Sequence, residues 1–453
     1  MEFTRPRGTR DFLFDEMRER KKCENTLRKV FETYAYQEIK TPLFEDLKLF
    51  TTKSGEQIVD QLYNFTDKSD REITLRPEIT APVARLYINE LQKTAKPIKL
   101  YYFGSCFRYE RPQKGRFRQF WQFGCELIGA KSPEGEAEAI AMAEQSLEYL
   151  GINTAEIHIN HLGIVRGLFK HFKIDNEIQE QVMILIDKGD KELFEKEILE
   201  KDLVEDSNLN SILKDILIKI IDFVGNEDVL IDVEDLLNDY EETKDSINEF
   251  KELINLLKSF NVSNYTLNLG IARGLDYYTG IVFEIYIPEL GAQKQVAGGG
   301  SYNLVELFGG EQVESTGFAF GFDRLMNAIE HNSKNMNKIK NKNNNKNDNG
   351  DEFEEESIVD VFVVPISNEQ REKSFEIGQK LRNSGISTEI DLSRKKFKKL
   401  LNAANKLNAK YVILVGKNDL EKDSVTIKDM ASGNQELVAI DNIKEFLNNN
   451  IFD

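Results

Sequence analysis

The sequence predicts an α+β protein: an antiparallel sheet flanked by helices, interrupted by a helical insertion and followed by a second, α/β domain. Three features of the chain support this prediction. Residues 100–129 alternate as two strands around a basic tip, residues 163–260 repeat Leu and Ile at helical spacing, and residues 332–356 are of low complexity. After that break, strand and helix patterns alternate, which is typical of a compact α/β domain.

The composition limits the classes of function that the chain can serve. Its 453 residues carry 78 Asp and Glu against 60 Lys and Arg, for a net charge of -18, so a nucleic acid would have to bind through local basic patches. Cys23, Cys106 and Cys125 form no CxxC pair and the histidines form no HExxH motif, which indicates neither disulfides nor a metal site. The sequence shows no signal peptide or membrane-spanning run, so we expect a cytoplasmic protein without membrane contact.

The first part of the chain leads into the predicted sheet. Residues 15–36 predict a helix with one apolar face, and residues 57–77 predict a hairpin. In the following stretch, LRPEITAPVARLY, Glu78 and Thr80 stand ahead of a helix that should begin near Val83. At such a place these two side chains could simply satisfy the free N–H groups of the helix.

The strands of residues 100–129 place charged and small side chains on one face. By alternation this face carries Tyr102, Gly104, Cys106, Arg108, Glu110, Gln122, Gly124 and Glu126. Such a face is a poor core, because unpaired buried charges are costly, but it suits a polar ligand. The alternative is a surface hairpin whose polar face is solvated.

A helix over residues 134–150 and a strand over residues 156–160 precede the insertion. The charge runs of the insertion are most simply solvated helix faces. Strand patterns return at Tyr265, and the later run Gly298, Gly299 and Gly300 permits close approach of a ligand or another strand.

Two arginines of this second sheet region stand out. Arg273 lies in a glycine-flanked turn after a strand, where it could simply pair with Asp276. Gly321 falls at a strand-to-helix joint, and Arg324 follows in the first helical turn. A cation there opposes the helix dipole, so an external anion would explain its position.

The C-terminal α/β domain contains a local concentration of positive charge. Its members are Arg394, Lys395, Lys396, Lys398 and Lys399. A solvated, Lys-rich helix would explain them, but RNA is a better partner for so local a patch in an acidic protein.

Several motifs together resemble those of one enzyme family. Motifs 2 and 3 of the class II aminoacyl-tRNA synthetases resemble FRYERPQKGRFRQF and GFAFGFDRL in this sequence, and histidyl-tRNA synthetases have stretches similar to ARGLDYYTGIVFEI and LRPEITAP. The family's anticodon-binding domain resembles LRNSGISTEIDLSRKKFKKLLNAANKLNAKYVILVG. The resemblance implies a class II synthetase-like catalytic domain over residues 1–331 with its insertion over 163–260, a linker over 332–356 and an anticodon-binding domain over 357–453.

The activity implied by the resemblance is ATP-dependent activation of L-histidine to histidyl-adenylate and its transfer to the 3′ end of tRNA(His), releasing AMP and pyrophosphate. ATP with Mg²⁺ would be the cofactors, and a homodimer is expected. One alternative is an inactive paralogue that binds histidine as a regulatory subunit, and another is a non-catalytic RNA-binding module. Arg108, Arg273 and Arg324 are all present and a C-terminal domain follows, which favours the enzyme.

The resemblance also implies residue roles at the ATP site. Arg108 and Arg273 would flank the α-phosphate, where preorganised charge is typically the largest catalytic effect. Arg116 and Arg324 would hold the outer phosphates. Phe117 would stack on adenine, and Glu110 would meet its amino group.

For histidine and tRNA the implied sets are larger. The histidine site would comprise Glu78, Thr80, Gln122, Glu126, Arg273, Tyr277, Tyr278 and Tyr302. Among these, Glu126 and Tyr278 would bind the imidazole nitrogens, and Tyr302 would close the pocket. The tRNA contacts would be Gln113, Arg394, Lys395, Lys396, Lys398 and Lys399.

Overall fold

A computed structural model describes residues 3–54, 56–110, 116–272, 277–343 and 359–451. The chain divides into two compact units, Met1–Asn343 and Asn344–Asp453. Within the described residues, no helix is both long enough and apolar enough to span a membrane.

The described residues of the first unit form both strands and helices. The strands are β1 (Gln37–Glu38), β2 (Phe44–Asp46), β3 (Tyr63–Thr66), β4 (Glu72–Leu75), β5 (Ile98–Phe107), β6 (Gln119–Ile128), β7 (Glu156–His161), β8 (Val224–Gly225), β9 (Tyr265–Asn268), β10 (Tyr278–Tyr286), β11 (Gln295–Tyr302) and β12 (Ser315–Gly321). The helices are α1 (Phe14–Thr33), α2 (Leu47–Ser54), α3 (Thr80–Leu86), α4 (Glu134–Tyr149), α5 (Leu162–Phe172), α6 (Asn176–Asp187), α7 (Lys191–Glu200), α8 (Ser207–Ile221), α9 (Val229–Leu237), α10 (Glu241–Ser259), α11 (Leu304–Leu307) and α12 (Phe322–Asn343).

The described strands form one large sheet and one small sheet in this unit. The large sheet has nine strands in the order β1-β5-β6-β12-β11-β10-β7-β9-β8, and β2, β4 and β3 form the small one. Neighbours in the large sheet are antiparallel except for β1 with β5 and β7 with β9. The predicted α+β class with a mainly antiparallel sheet is confirmed.

The predicted pair of strands around residues 100–129 is confirmed as β5 and β6. Their register places Gly104 opposite Gln122 and Tyr102 opposite Gly124, so the polar and small side chains do share one face. On the other face, Phe31 of α1 packs edge-on against Phe123, with ring centroids 5.0 Å apart. The sheet therefore has one apolar face that packs against helices and one face left for polar groups.

Helices α5 to α10 occupy the predicted insertion. Helix α10 contacts α5, α4 and β7, and it buries Phe250 and Leu253 in the same apolar cluster as the sheet. Strand β8 pairs with β9 at the edge of the large sheet. The insertion therefore shares the core of the first unit, because the apolar stripes of its amphipathic helices need a partner surface.

Two boundaries differ from expectation. Helix α3 begins at Thr80, ahead of Val83, because the carboxylate of Glu78 accepts a hydrogen bond from the N–H of Ala81 and caps the first turn. Helix α12 continues to Asn343, although the linker was expected from Asn332. No Pro or Gly interrupts that stretch, and extending an existing helix costs less than starting one.

The second unit is an α/β domain. Its described strands are β13 (Val361–Pro365), β14 (Thr388–Ile390), β15 (Tyr411–Val415), β16 (Ser424–Asp429) and β17 (Gln435–Ala439), and its helices are α13 (Arg371–Asn383), α14 (Phe397–Lys406), α15 (Lys417–Leu420) and α16 (Ile443–Ile451). The sheet order is β14-β13-β15-β16-β17, with β13 parallel to both neighbours.

The predicted Lys-rich helix of the second unit is present as α14, which carries Lys398 and Lys399, but the other three residues of the basic patch precede it. Arg394, with a φ of 53°, and Lys395 lie in the loop before α14, and Lys396 is its N-cap. Buried Asp391 holds this loop by accepting hydrogen bonds from the backbone N–H groups of Ser393 and Lys395. A carboxylate that binds successive N–H groups favours a turn over a helix.

Candidate active site

A cavity of about 880 Å³ lies over the polar face of the large sheet. Nine of the residues predicted for ligand binding line it: Glu78, Thr80, Arg108, Arg116, Gln122, Glu126, Tyr277, Tyr278 and Tyr302. Gln122 and Glu126 therefore face a cavity and not bulk solvent, and the alternative of a solvated surface hairpin is wrong. Residues 156, 158 and 185–191 extend the lining toward the insertion.

Small residues form part of the cavity lining, namely Gly298, Gly317 and Ala319. Gly124, Ala319 and Gly298 lie in register on three adjacent strands, β6, β12 and β11. A Cβ atom on Gly124 would lie 2.6 Å from the carbonyl oxygen of Phe318, and one on Gly317 would collide with a carboxylate oxygen of Glu126. Glycine at these two positions therefore lets the neighbouring strands and the Glu126 carboxylate pack closely against the sheet.

Glu126 is a buried polar group of the site. Its two oxygens accept hydrogen bonds from the hydroxyls of Tyr102, at 3.0 Å, and Tyr302, at 2.7 Å. Burial raises the pKa of Glu126 to about 8, although the hydroxyls of Tyr302, Thr80 and Tyr102 act in the opposite direction. A buried carboxyl group in a fixed orientation can accept from, or donate to, a polar ring at the end of the cavity.

The cavity edge beside Glu126 is formed by a helix start and a group of tyrosines. The carboxylate of Glu78 accepts a hydrogen bond from the free N–H of Ala81 in the first turn of α3, as its position in the sequence allowed. Glu78 also lines the cavity. The rings of Tyr277 and Tyr278 lie 4.6 Å apart, and Tyr277 meets Tyr302 edge-on at 6.1 Å. Tyr302 thus contacts both Glu126 and Tyr277 and lines the cavity, and its closing of the pocket stays a prediction.

Three arginines lie close to one another, and two of them, Arg108 and Arg116, line the cavity. Burial lowers the pKa of Arg324, and the positive charges of Arg116 and Arg108 lower it further. Arg324 donates to the carbonyl oxygen of Gln295, and the Nε of Arg108 donates to that of Pro77 at 3.1 Å. Backbone anchors thus hold like charges close together, an arrangement that a polyanion such as a triphosphate would stabilise.

The structure brings the remaining predicted residues together only in part. Glu110, Phe117 and Arg324 are described but do not line the cavity itself. Glu110 lies 3.8 Å from Arg116, and Phe117 packs against Arg10. Arg273 and Gln113 lie outside the described residues. The Lys and Arg patch belongs to the second unit.

Sequence reasoning missed a polar group on the far part of the sheet. Glu284 pairs in register with His158, and it accepts a hydrogen bond from Gln295 at 2.5 Å. Tyr286 also donates to Glu284, and all four of these residues line the cavity. The alternation of polar and apolar residues in EIHINH, and the single carboxylate inside IVFEI, are the signals that could have revealed them.

The described residues hold no cluster of three or more His, Cys, Asp or Glu side chains that could bind a metal ion. A divalent cation that arrives on nucleotide phosphates needs only one or two carboxylates, and the chain's part is then to hold the phosphates. The three converging arginines suit that task.

Comparisons with known proteins agree with this geometry. The family model for Histidyl-tRNA synthetase matches residues 8–325, and that for an Anticodon binding domain matches residues 360–450. The histidine–tRNA ligase of Methanocaldococcus jannaschii is 43% identical over 447 residues, covering 98% of this chain and 99% of that protein. The crystal structure of apo S. aureus histidyl-tRNA synthetase is similar with a TM-score of 0.72 and 29% identity, covering 98% of this chain and 100% of that one.

One further solved structure bears on the alternative of a regulatory paralogue. A protein described as an ATP phosphoribosyltransferase regulatory subunit/histidyl-tRNA synthetase, from Bacillus halodurans, has a TM-score of 0.74 at 23% identity, covering 91% of this chain and 98% of that one. Similarity at this identity shows a shared fold.

Proposed function

This chain belongs to the histidyl-tRNA synthetase family, and from that premise we propose which of its residues perform each step. The activity is ATP-dependent activation of histidine followed by charging of tRNA. The regulatory alternative has less support, because relatives named histidine–tRNA ligase align over nearly the full chain and an anticodon-binding domain follows the catalytic one.

We propose that histidine binds at the Glu126 end of the cavity. Glu126 and Tyr278 would bind the two imidazole nitrogens, since a carboxyl group and a phenol supply polar partners at opposite ends of a ring. Glu78, Thr80 and Gln122 would hold the α-ammonium group. The observation that supports this assignment is that one cavity joins a buried carboxyl group to a cluster of arginines.

ATP would then lie toward the arginines. Arg108, and by resemblance Arg273, would flank the α-phosphate, and Arg116 and Arg324 would hold the outer phosphates. Mg²⁺ bound to ATP would neutralise part of the phosphate charge. When the histidine carboxylate attacks the α-phosphorus, these guanidinium groups would stabilise the charge on the phosphoryl oxygens as pyrophosphate leaves.

We propose that the second unit is the anticodon-binding domain, over residues 357–453, and that it contacts tRNA through its basic loop and α14. In the first unit, Gln113 would also contact the tRNA. The proposed contacts of the second unit are Arg394, Lys395, Lys396, Lys398 and Lys399. A separate task for each unit would let amino-acid activation proceed without tRNA.

We also propose that the protein acts in the cytoplasm.

Replacing both Lys398 and Lys399 with alanine should raise the KM for tRNA(His) by roughly 10-fold and leave histidine-dependent pyrophosphate exchange unchanged. Each lysine lost from a phosphate contact should also reduce the salt dependence of tRNA binding. Aminoacylation at several salt concentrations measures both effects. The matched control replaces Lys373 and Lys380, which are paired with Glu376 and Asp441 on the same unit. Equal effects of the two double variants on charging would contradict the assignment.

We propose that the protein forms a homodimer in which a second copy of the chain covers the small sheet. Phe44 pairs in register with Leu75, and Phe65 pairs with Ile73, so by alternation all four lie on one face. Phe44 is 55% exposed and Phe65 is 48% exposed. An exposed apolar face of this kind marks an interaction surface, and homodimer interfaces are the more apolar class.

Replacing Phe44 and Phe65 with glutamate should weaken the dimer by at least roughly 100-fold, because each Phe buried at an interface contributes about 1.5–3 kcal/mol and a buried carboxylate adds a penalty. Sedimentation equilibrium of parent and variant measures the change. Leu199→Glu is the control, since Leu199 is 59% exposed on α7 of the insertion. A double variant that dimerises as tightly as its parent would rule out this face.

A further inference from the structure

The N-terminal segment of residues 6–12 lies directly against the start of β6. The carbonyl oxygen of Gly8 accepts a hydrogen bond from the N–H of Arg118 at 2.9 Å. Gly8 has a φ of 84°, and a Cβ atom there would lie 2.7 Å from Cγ of Arg118. Glycine thus permits both the turn and the close approach. The segment is therefore packed against the sheet as part of the fold.

Arg10, two residues later, stacks on the ring of Phe117. The Cζ atom of its guanidinium lies 3.4 Å from the ring centroid, which is a direct stacking distance. The same guanidinium lies 4.9 Å from the ring of Phe12. One face of Phe117 is therefore covered by a cation from a segment more than one hundred residues away in sequence.

Asp323 holds Arg10 in this position. Its Oδ1 accepts from Nη2 of Arg10 at 2.5 Å and from Nη1 of Arg20 at 2.9 Å, and its Oδ2 accepts from the backbone N–H of Trp121 at 3.0 Å. The Asp323 side chain is 5% exposed. A carboxylate in the first turn of α12 is also favoured by the helix dipole.

The next residue after Asp323 is Arg324, which lies near the two cavity-lining arginines, Arg108 and Arg116. The first turn of α12 therefore anchors the Arg10–Phe117 stack and carries a proposed phosphate-binding arginine. Because three donors fix Asp323, the Arg10–Phe117 stack and the backbone that carries Arg324 are held in a fixed relation to each other.

We propose that Arg10 is a positioning residue for the adenine of ATP. It occupies one face of Phe117 and fixes the ring, so that the other face is ready for the base. This inference rests on the proposed role of Phe117 in stacking adenine. A ring that is already immobilised loses less conformational freedom when the base binds, which favours affinity.

The test is histidine-dependent pyrophosphate exchange by Arg10→Ala in the full chain. We expect the KM for ATP to rise roughly 2- to 12-fold, because a free Phe117 ring must lose its mobility when the base binds, with the KM for histidine and the kcat within about twofold. Arg10→Lys should recover part of the effect, because lysine keeps the ion pair with Asp323 but not the planar stack.

A double-variant cycle with Phe117→Leu separates the two proposals. If Arg10 acts through Phe117, Arg10→Ala should raise the KM for ATP no further in the Phe117→Leu background. An unchanged KM for ATP in Phe117→Leu alone would overturn the role of Phe117. The role of Arg10 alone would be overturned if Phe117→Leu changed the KM for ATP while both Arg10 variants left it unchanged or lowered it. The same conclusion would follow if the effects of Arg10→Ala and Phe117→Leu on the KM for ATP were fully additive.

Arg28 supplies the matched control. It lies over another ring, that of Tyr101, at 5.9 Å, and it pairs with Glu24 and Glu38 away from the cavity. Arg28→Ala removes a comparable arginine from α1, and it should leave the KM for ATP unchanged. An equal rise in KM for Arg28→Ala would assign the Arg10 effect to general loss of structure and refute the inference.

Discussion

Replacing Arg108 with alanine should lower the kcat of histidine-dependent pyrophosphate exchange by roughly 10² to 10³, with little change in the KM for histidine. Activation brings a carboxylate to the α-phosphorus of ATP, and negative charge grows on the phosphoryl oxygens as pyrophosphate departs. An arginine directed at those oxygens stabilises the transition state more than the bound substrates. Its loss should therefore appear mainly in kcat.

The surroundings of Arg108 are suited to such a role. Its Nε donates to the carbonyl oxygen of Pro77 at 3.1 Å, and its guanidinium lies 5.1 Å from the ring centroid of Phe120. The backbone anchor fixes the plane of the fork before substrate binds, so little reorganisation is needed during the reaction. Arg108→Lys should recover only part of the rate, because a point charge does not reproduce the planar fork.

A purely structural role of Arg108 would give a different result. Loss of its bond to Pro77 would lower the melting temperature, while the folded fraction kept its normal turnover. Arg85 provides a comparison, since its Nη2 donates to Glu45 at 2.9 Å and it does not line the cavity. We expect Arg85→Ala to reduce thermal stability with kcat per folded molecule unchanged. The same behaviour in Arg108→Ala would end the catalytic assignment.

Local patterns were enough to predict the elements that build the site. Strict alternation in residues 100–129 identified β5, β6 and the shared face of Gly104, Gln122 and Gly124, because side-chain direction in a strand depends only on neighbouring residues. The position of Arg324 in the first turn of α12 likewise followed from the change of period at Gly321. These features need no knowledge of distant parts of the chain.

Contacts between distant segments could not be predicted in this way. Glu126 meets Gly317 and the hydroxyl of Tyr302 only because β12 lies between β6 and β11, an order that no local pattern specifies. The bond between Arg10 and Asp323 joins residues 313 positions apart. Periodicity gives the direction of a side chain, whereas its partner depends on strand order and helix docking.

Glu126→Gln should weaken histidine binding by roughly 1.5 to 3 kcal/mol, about 10- to 150-fold, and leave ATP affinity nearly unchanged. The two oxygens of Glu126 accept from Tyr102 and Tyr302. An amide of the same size offers an N–H₂ group where one of these oxygens stood, so it cannot present an acceptor on both sides. The imidazole N–H would then face a donor in a buried site.

The same substitution should make the stability of the fold depend less on pH. Burial raises the pKa of Glu126 to about 8 from an ordinary value of 4.5. A carboxyl group that holds its proton more tightly when folded stabilises the fold fully below pH 4.5, and this contribution is lost as the pH rises through 8. Glutamine cannot ionise, so the variant should lose less stability than its parent between about pH 4.5 and pH 8.

Calorimetric titration with histidine and with ATP, together with thermal unfolding at the two pH values, measures these effects on one preparation. Tyr149→Phe is a suitable control, because Tyr149 is an exposed residue at the end of α4 and lies outside the cavity lining. Equal losses of histidine and ATP affinity would mean that Glu126 supports the fold of the whole cavity. A variant that binds histidine like its parent but shows the altered pH dependence would leave Glu126 as a buried acid with no part in substrate recognition.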